Sequence, residues 1–357
     1  MKTGYSIVPK IEKAIQKAQK ILICSHMNAD PDALCSTSAV LQLIKLKYPD
    51  KKLFANIESS KPENLKSLKG YSKITIKESS KLVSDIDPDL IIFLDADNFS
   101  RISRSNFEKL EKLCKTKTII SIDHHSENNW PLKTLYINHL RSSTCEEVYK
   151  TFVEKLSYPI NKSIAENLLC GIISDSGRFL YINPYLEDTF NITYKLTELG
   201  VSIEIANSIL ENYSLEVIEI YKELFSNLHI ENHFNYSYIS DEFTHSYLID
   251  KKIRIDTLKL ASRSWVNKYI RSVGENRWGF TVCPELNSDK KIFSIQFRSM
   301  QKQQKVSTLA KNLGGGGHAY ASGAKIEATS VKNAVDKVLN LIEDTSPNPR
   351  SPRKIRH

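Results

Sequence analysis

The sequence predicts an α/β protein whose N-terminal part is a doubly wound, mostly parallel sheet. Three short apolar runs, at residues 20–25, 90–94 and 118–122, have the length and composition of buried strands. Stretches with helical periodicity separate them, which is the alternation that parallel strands require. A length of 357 residues is sufficient for two domains.

The first predicted elements follow one another closely along the chain. The helix that starts at residue 31 begins with a proline, which suits a first turn. A run of six residues, Leu-Leu-Cys-Gly-Ile-Ile, fits either a helix or a strand, and we assign it to a helix. In order, we predict a helix at 11–19, a strand at 20–25, a helix at 31–48, strands at 53–57, 90–94 and 118–122, and helices at 146–156 and 164–173.

A nearly continuous helical pattern over residues 186–225 is predicted to lead out of the first domain. A second α/β block follows, with strands at 235–239, 278–282 and 292–298 and helices at 256–268 and 331–341. The predicted organisation is a metal-binding catalytic domain at 1–200, a helical linker at 201–227, a smaller substrate-binding α/β domain at 228–344, and a disordered basic tail at 345–357.

The charge, the cysteines and the distribution of apolar residues exclude few classes of protein. The net charge of +9 includes four cations in residues 346–357, and the remaining excess suits an anionic ligand or a lysine-rich solvated surface equally well. The six cysteines form no C-x-x-C pair and are predicted to be buried thiols. Neither a signal-peptide pattern nor an apolar run of membrane-spanning length occurs, so we expect a soluble, cytoplasmic protein without a membrane partner.

Four apolar runs are each followed by side chains that commonly bind metal ions. Because the carboxyl ends of parallel strands meet at one edge of a sheet, we expect the first three clusters to converge there, and the fourth can join them. The clusters are His26 with Asp30 and Asp32, Asp95 with Asp97, the run Asp123-His124-His125, and Asp175.

So many carboxylates in one place repel each other unless cations neutralise them. Oxygen ligands with a few imidazoles favour Mn²⁺ or Mg²⁺ over a metal that prefers thiolates. The number of ligands exceeds the needs of one ion, so the pattern favours two ions that share a carboxylate. Paired ions about 3.5–4 Å apart hold a hydroxide and stabilise an in-line displacement at phosphorus.

These residues resemble the motifs of the DHH phosphoesterase superfamily, whose name-giving motif is Asp123-His124-His125 in this chain. The first family motif is matched by residues 26–36, the second by Asp95 and Arg101, and the fourth by residues 171–179. Three positions depart from the first motif, where Ala29, Pro31 and Cys35 replace proline, glycine and glycine. None of the three is a ligand, but Cys35 adds bulk near the first turn of the helix.

The C-terminal block resembles the DHHA1 domain. Its signature is matched by residues 315–323, Gly-Gly-Gly-His-Ala-Tyr-Ala-Ser-Gly. We expect this glycine cluster to precede a short helical segment and to bring backbone N–H groups close to a phosphate. Residues 295–299 also match a strand of these domains in which the arginine meets the substrate.

The resemblance implies a role for each matching residue. His26 and Asp30 hold one metal ion; Asp32, His124 and Asp175 hold the other; Asp95 bridges them. His125 and Arg101 act as catalytic residues, with His125 protonating or stabilising the leaving oxygen and Asp123 orienting an imidazole. Substrate is bound by Asn28, Arg298, Ser299, Gly315, Gly316, Gly317 and His318.

The domain pair and length resemble the nanoRNase and pAp-phosphatase group of this superfamily. The implied enzyme is a metal-dependent phosphodiesterase and phosphomonoesterase with two Mn²⁺ ions (Mg²⁺ or Co²⁺ as alternatives) that hydrolyses short oligoribonucleotides to mononucleotides and pAp to AMP. Alternatives are cleavage of a cyclic dinucleotide such as cyclic di-AMP or of its linear product, and a non-catalytic nucleotide-binding module. An RNA-binding role of the tail lacks a recognition motif with interleaved aromatic residues. A homodimer is compatible with this interpretation.

Overall fold

A computed structural model describes residues 5–126, 128–131, 133–180, 184–286 and 290–345, except for the side chain of His318. The chain divides into two compact units, Met1–Asn212 and Tyr213–His357. The predicted basic tail lies outside the described residues beyond position 345. Within the described ranges, no helix is both long and apolar enough to span a membrane.

The N-terminal unit is built on a six-stranded sheet in which every pair of neighbouring strands is parallel. The strand order is β3-β2-β1-β4-β5-β6, so the chain winds first to one side of β1 and then to the other. This confirms the predicted doubly wound α/β fold and places a topological switch point between β1 and β4. The strands are β1 (Lys20–Ser25), β2 (Lys52–Ile57), β3 (Ile74–Thr75), β4 (Leu90–Leu94), β5 (Thr118–Ile122) and β6 (Leu135–Ile137).

Helices pack on both faces of this sheet, which explains why its central strands are apolar on both sides. All five side chains of β4 are buried. The helices are α1 (Val8–Lys17), α2 (Pro31–Lys47), α3 (Ser79–Ile86), α4 (Phe99–Ile102), α5 (Phe107–Cys114), α6 (Thr144–Val148), α7 (Lys162–Asp175), α8 (Leu186–Glu198) and α9 (Ile203–Leu210). After α6 the helix continues with π-type hydrogen bonds over Tyr149–Lys155.

The largest core cluster of this unit includes side chains from α2 and α7. Cys35 is fully buried in that cluster, and all six cysteines are buried free thiols, as the sequence predicts. The packing of α7 onto α2 matters for function because α2 begins, and α7 ends, with the predicted metal ligands.

The nearly continuous helical pattern over residues 186–225 is divided into separate helices in the structure. The segment forms three helices, α8, α9 and α10 (Leu215–Ser226). The first break has a local cause, since Gly200 adopts a left-handed φ of 80° and the Ser202 side chain caps α9 by accepting a hydrogen bond from the backbone N–H of Ile205. Helical periodicity continued across the break because both flanking helices bury an apolar face.

The C-terminal unit contains a second six-stranded sheet of order β11-β12-β10-β9-β8-β7. Only β8 and β9 pair in parallel, and helices cover the sheet with two separate core clusters. Its strands are β7 (His229–Ile230), β8 (Asn235–Tyr238), β9 (Trp278–Pro284), β10 (Ile292–Ser299), β11 (Gly316–His318) and β12 (Ala321–Glu327), and its further helices are α11 (Asp241–Phe243), α12 (Ile255–Trp265), α13 (Val306–Asn312) and α14 (Val331–Thr345).

The glycine-rich segment of this unit does not precede a helix, contrary to the prediction. It forms β11 and pairs antiparallel with β12. A Cβ atom at Gly315 would lie 2.1 Å from the carbonyl oxygen of Gly323, so the two backbones approach too closely for a side chain. Gly317 adopts a φ of 129°, which side-chain-bearing residues rarely adopt.

Candidate metal centre

The predicted ligands lie at the carboxyl ends of three neighbouring strands and at the end of one helix. His26 follows β1, Asp95 follows β4 and His124 follows β5, and these strands are adjacent in the order β1-β4-β5. Asp32 lies in the first turn of α2, and Asp175 is the last residue of α7. The structure therefore brings all four sequence clusters together beside the topological switch point of the sheet.

The first group of donor atoms consists of His26, Asp30 and Asp95, whose ligand atoms all lie within 4.8 Å of one another. The Nε2 atom of His26 is 3.3 Å from Asp95 Oδ2 and 3.7 Å from Asp30 Oδ2. The other ring nitrogen, Nδ1, lies 2.8 Å from the carbonyl oxygen of Met27. A proton on Nδ1 leaves the Nε2 lone pair directed at the carboxylates, which is the arrangement found in metal-binding histidines.

The second group consists of Asp32, His124 and Asp175, again within 4.8 Å of one another. The Nε2 atom of His124 lies 3.1 Å from Asp175 Oδ2, while its Nδ1 atom lies 3.2 Å from the carbonyl oxygen of Arg141. Both histidines thus have Nδ1 beside a backbone acceptor and Nε2 beside carboxylates.

Asp95 connects the two groups through its two carboxylate oxygens. Its Oδ2 atom faces His26 at 3.3 Å, and its Oδ1 atom faces His124 at 3.4 Å and accepts a hydrogen bond from the Thr144 hydroxyl at 3.0 Å. The residue is 2% exposed and has a φ of 57°, a conformation that costs of order 1 kcal/mol or more outside glycine. The strained backbone directs the carboxylate between the two histidines.

His125 has a different environment from the other two histidines. Its Nδ1 atom lies 2.7 Å from Oδ1 of Asp123, and that carboxylate also accepts the backbone N–H of His124 at 2.8 Å. His125 can alternatively join Asp95 and His124 in a third group of donor atoms. Since the Asp123 contact is much shorter than the 3.7 Å from His125 Nδ1 to Asp95, we interpret His125 as an imidazole that Asp123 orients.

The electrostatics of the centre favour the binding of cations. Burial raises the pKa of Asp32 well above its ordinary value, and the nearby Asp95 and Asp175 carboxylates raise it further. Burial would lower the pKa of His26, but the carboxylates of Asp30 and Asp95 raise it to about 10. Burial would also lower the pKa of His124, but the carboxylates of Asp175 and Asp95 raise it well above its usual range. Crowded, buried carboxylates of this kind are the environment that bound cations stabilise.

The donor set fits divalent metal ions. Carboxylate oxygens and imidazole nitrogens make up all three groups in the described part of the chain, and none of the three contains a thiol. The Nε2 atom of His26 is buried and has no hydrogen-bond partner, and coordination of a metal ion would satisfy its lone pair. Oxygen-rich sites with imidazole suit Mn²⁺ and related ions.

A backbone hydrogen bond next to Asn28 connects the segment of the first family motif to that of the second. The N–H of Met27 donates to the carbonyl oxygen of Arg101 at 2.8 Å, which fixes the loop after β1 against α4. Asn28 has a φ of 53°, and its side-chain oxygen lies 3.5 Å from the Ser60 hydroxyl. The Arg101 side chain is exposed. Asn28 and Arg101, the two predicted phosphate contacts, therefore both lie beside the loop that carries His26.

The other predicted substrate residues lie in the C-terminal unit. The guanidinium of Arg298, on β10, donates from Nε to Oδ1 of Asn267 at 2.6 Å. Ser299 is 1% exposed and donates to the carbonyl oxygen of Met300 at 3.0 Å. Gly315, Gly316 and Gly317 lie in or just before β11, and the side chain of His318 lies outside the described part of the structure.

The residues that hold Asp32 were not predicted from the sequence. The backbone N–H groups of Thr144 and Cys145, at the start of α6, donate to its two carboxylate oxygens at 2.6 and 3.0 Å. Ser143 caps this helix by accepting from the N–H of Glu146. The pattern Ser-x-x-Glu is a known helix-start signal and predicts this N-terminus, but not that it points at Asp32.

We expect metal binding to release protons and to strengthen as the pH rises. The pKa of His26 is raised to about 10 without metal, so at neutral pH its ring carries a proton that a metal ion must displace. The apparent affinity for Mn²⁺ should rise up to tenfold per pH unit for each displaced proton and level off above about pH 10. Calorimetric titrations at pH 7.5 in two buffers with different ionisation enthalpies count the protons, and binding without proton release would contradict this assignment.

Replacing Gly171 with alanine is expected to weaken the second group, although alanine normally stabilises a helix interior by about 1 kcal/mol. A Cβ atom there would lie 2.2 Å from Cys145 Sγ and 2.8 Å from Asp32 Oδ1. We expect a lower melting temperature in EDTA and a weaker Mn²⁺ site. Adding Cys145→Ala removes the sulfur contact and should restore part of the stability but not the affinity. Unchanged Mn²⁺ affinity in Gly171→Ala would show that Asp32 is not confined.

Several known proteins are similar to this chain in sequence. Residues 20–172 match the DHH family, N-terminal domain. The chain is 27% identical over 340 residues to the bifunctional oligoribonuclease and PAP phosphatase NrnA of Bacillus subtilis, covering 93% of this chain and 96% of that protein. It is 28% identical over 348 residues to the protein of the same name from Mycoplasma genitalium, covering 96% and 98%.

Among solved structures, an exopolyphosphatase-related protein from Bacteroides fragilis has the same fold, with a TM-score of 0.80 and 22% sequence identity. The alignment covers 96% of this chain and 95% of that protein. The sequence matches confirm the resemblance to DHH proteins and to the nanoRNase and pAp-phosphatase group.

Proposed function

We propose that this chain, a hydrolytic phosphoesterase with a DHH family N-terminal domain over residues 20–172, hydrolyses short oligoribonucleotides to mononucleotides and pAp to AMP with two Mn²⁺ ions. The proposed substrates are those named for the relatives from Bacillus subtilis and Mycoplasma genitalium. Mg²⁺, which prefers oxygen ligands, and Co²⁺ are the alternative ions.

The observation that carries the two-metal proposal is the orientation of Asp95. One carboxylate oxygen faces the His26 group and the other faces the His124 group, as a bridging ligand requires. His26 and Asp30 would hold one ion, and Asp32, His124 and Asp175 would hold the other. When bound, such a pair supplies a hydroxide at neutral pH and neutralises the charge that develops at phosphorus during in-line displacement.

The chain's own residues would then position the phosphate and the proton. With Nδ1 engaged by Asp123, His125 can present a proton on Nε2 to the leaving oxygen. Asp123 fixes the ring and favours its protonated form. Arg101 suits two-point binding of phosphate oxygens, and the Asn28 amide adds a donor beside the same loop.

The C-terminal unit would bind the part of the substrate that does not react. Arg298, Ser299, the glycines of the 315–317 segment and His318 are the proposed contacts. The Arg298 guanidinium donates from Nε to Asn267 Oδ1 and from Nη1 to the carbonyl oxygen of Phe297, and these two bonds fix its orientation. Binding energy from this remote part raises the rate only if it orients the scissile phosphate, so substrates without it should lose turnover as well as affinity.

The decisive experiment compares substrates with and without metal. Labelled RNA dimers, longer RNA, pAp and cyclic di-AMP are each incubated with Mn²⁺, with Mg²⁺ and with EDTA. Metal-dependent release of mononucleotide from dimers, slower cleavage of long RNA, and AMP from pAp are expected. Cleavage of cyclic di-AMP or its linear product alone would replace the proposed substrates, and ligand binding without turnover would indicate a nucleotide-binding module.

A further inference from the structure

Arg141 is a buried cation next to the second group of donor atoms, which consists of Asp32, His124 and Asp175. It lies in the loop between β6 and α6, with only 4% of its side chain exposed. Its Nη1 atom donates to Asp188 Oδ2 at 2.9 Å, its Nε atom donates to the Tyr5 hydroxyl at 3.2 Å, and the guanidinium lies 4.7 Å above the ring of Tyr185. The guanidinium is thus held on three sides.

The backbone of the same residue contacts a predicted metal ligand. The carbonyl oxygen of Arg141 lies 3.2 Å from His124 Nδ1, so its position determines which way the Nε2 lone pair points. The side-chain partner Asp188 lies in the first turn of α8, the helix that follows Asp175 in the chain. One residue therefore links His124 to the segment that follows Asp175.

The loop around Arg141 needs such an anchor because its backbone is strained. Leu140 has a φ of 55° and is 51% exposed, so neither backbone preference nor side-chain burial holds it. The loop is instead fixed by hydrogen bonds, from Leu140 N–H to Asn138 Oδ1 at 2.7 Å and from His139 N–H to the buried Glu147 Oε1 at 2.6 Å. The Arg141 guanidinium completes this set of anchors at the residue whose carbonyl meets His124.

We infer that Arg141 is a positioning residue for the second metal ion. Its side chain, held by Asp188, Tyr5 and Tyr185, keeps its own carbonyl oxygen in place and thereby orients the imidazole of His124. The first donor group does not share this dependence, because His26 is oriented by the carbonyl oxygen of Met27. The inference rests on the proposed two-metal centre and predicts that the two ions respond differently to one substitution.

The test measures both Mn²⁺ affinities in Arg141→Met. The second site should weaken by about 10- to 100-fold, as for other changes in residues that orient ligands, while the first site stays close to wild type. His26→Ala and His124→Ala variants identify which phase of the binding isotherm belongs to which group. Electron paramagnetic resonance should show the spin-coupled Mn²⁺ pair of the wild type replaced by a mononuclear signal.

Two matched variants separate positioning from general stability. Arg141→Lys keeps a cation for Asp188 and should recover part of the second-site affinity. Lys150→Met removes a different cation, which lies 3.3 Å from the same Asp188 and forms its other ion pair with Glu154 and not with a metal ligand, so both sites should stay intact. Melting temperatures in EDTA provide the stability scale for all three variants.

Two outcomes overturn the inference. The first is an unchanged second-site affinity in Arg141→Met when the wild-type protein binds two ions. It would show that the Arg141 carbonyl oxygen keeps its position without the guanidinium. Equal weakening of both sites, in proportion to the loss of melting temperature, shows a structural role alone. If the wild-type protein itself binds no Mn²⁺ pair, the proposed two-metal function fails instead, and the two failures are thereby distinguished.

Discussion

Replacing Asp95 with asparagine is expected to lower the rate of phosphoester hydrolysis by about 10³-fold or more. Asparagine keeps the shape of the side chain and tolerates the left-handed φ of 57° at this position, so the backbone should not change. It offers one neutral oxygen in place of two charged ones, and it therefore cannot bridge the two donor groups. The several kcal/mol that bound ions contribute to catalysis correspond to a rate loss of that size.

The measurement is kcat/KM on RNA dimers at saturating Mn²⁺, together with a count of bound ions. The matched control is Asp97→Asn, since Asp97 is also a buried aspartate after β4 but belongs to none of the donor groups in the described part of the chain. Its rate should stay close to that of the wild type. A large loss at Asp97 and a small loss at Asp95 would reverse the assignment of the bridging ligand.

Replacing His124 with alanine is expected to abolish measurable hydrolysis while the protein stays folded. His124 is half-buried, lies outside the apolar clusters, and places Nε2 within 3.4 Å of both Asp95 and Asp175. The substitution removes a metal ligand. It also removes a positive charge that lies between carboxylates, and the repulsion between those carboxylates then lowers the stability of the metal-free protein at neutral pH. Circular dichroism and the melting temperature in EDTA test folding, and hydrolysis of RNA dimers with Mn²⁺ tests function.

His245→Ala is the control for the His124 experiment, because His245 is exposed in the C-terminal unit. It should retain full activity. A wild-type rate in His124→Ala would reject the metal assignment, and an unfolded His124→Ala protein would mean that the imidazole holds the loop after β5 rather than an ion.

The central strands were predicted to the residue because each is a continuous apolar run whose length and flanks permit one interpretation. β1, β4 and β5 are of this kind. β3 and β6 have two and three residues, and such short segments become strands only by pairing with another strand, here β2 for β3 and β5 for β6. The glycine segment that became β11 carries no strand signal of its own, since glycine is unfavourable in strands.

The sequence by itself determined the fold class and the residue types of the candidate centre, because apolar runs and the polar residues that end them are adjacent in the chain. The tertiary structure alone decided how those residues face each other. The hydrogen bonds that orient Asp32 come from Thr144 and Cys145, more than a hundred positions away, and the carbonyl that orients His124 comes from Arg141. Contacts between residues so distant in sequence depend on how the helices pack on the sheet, and no local pattern of residues encodes them.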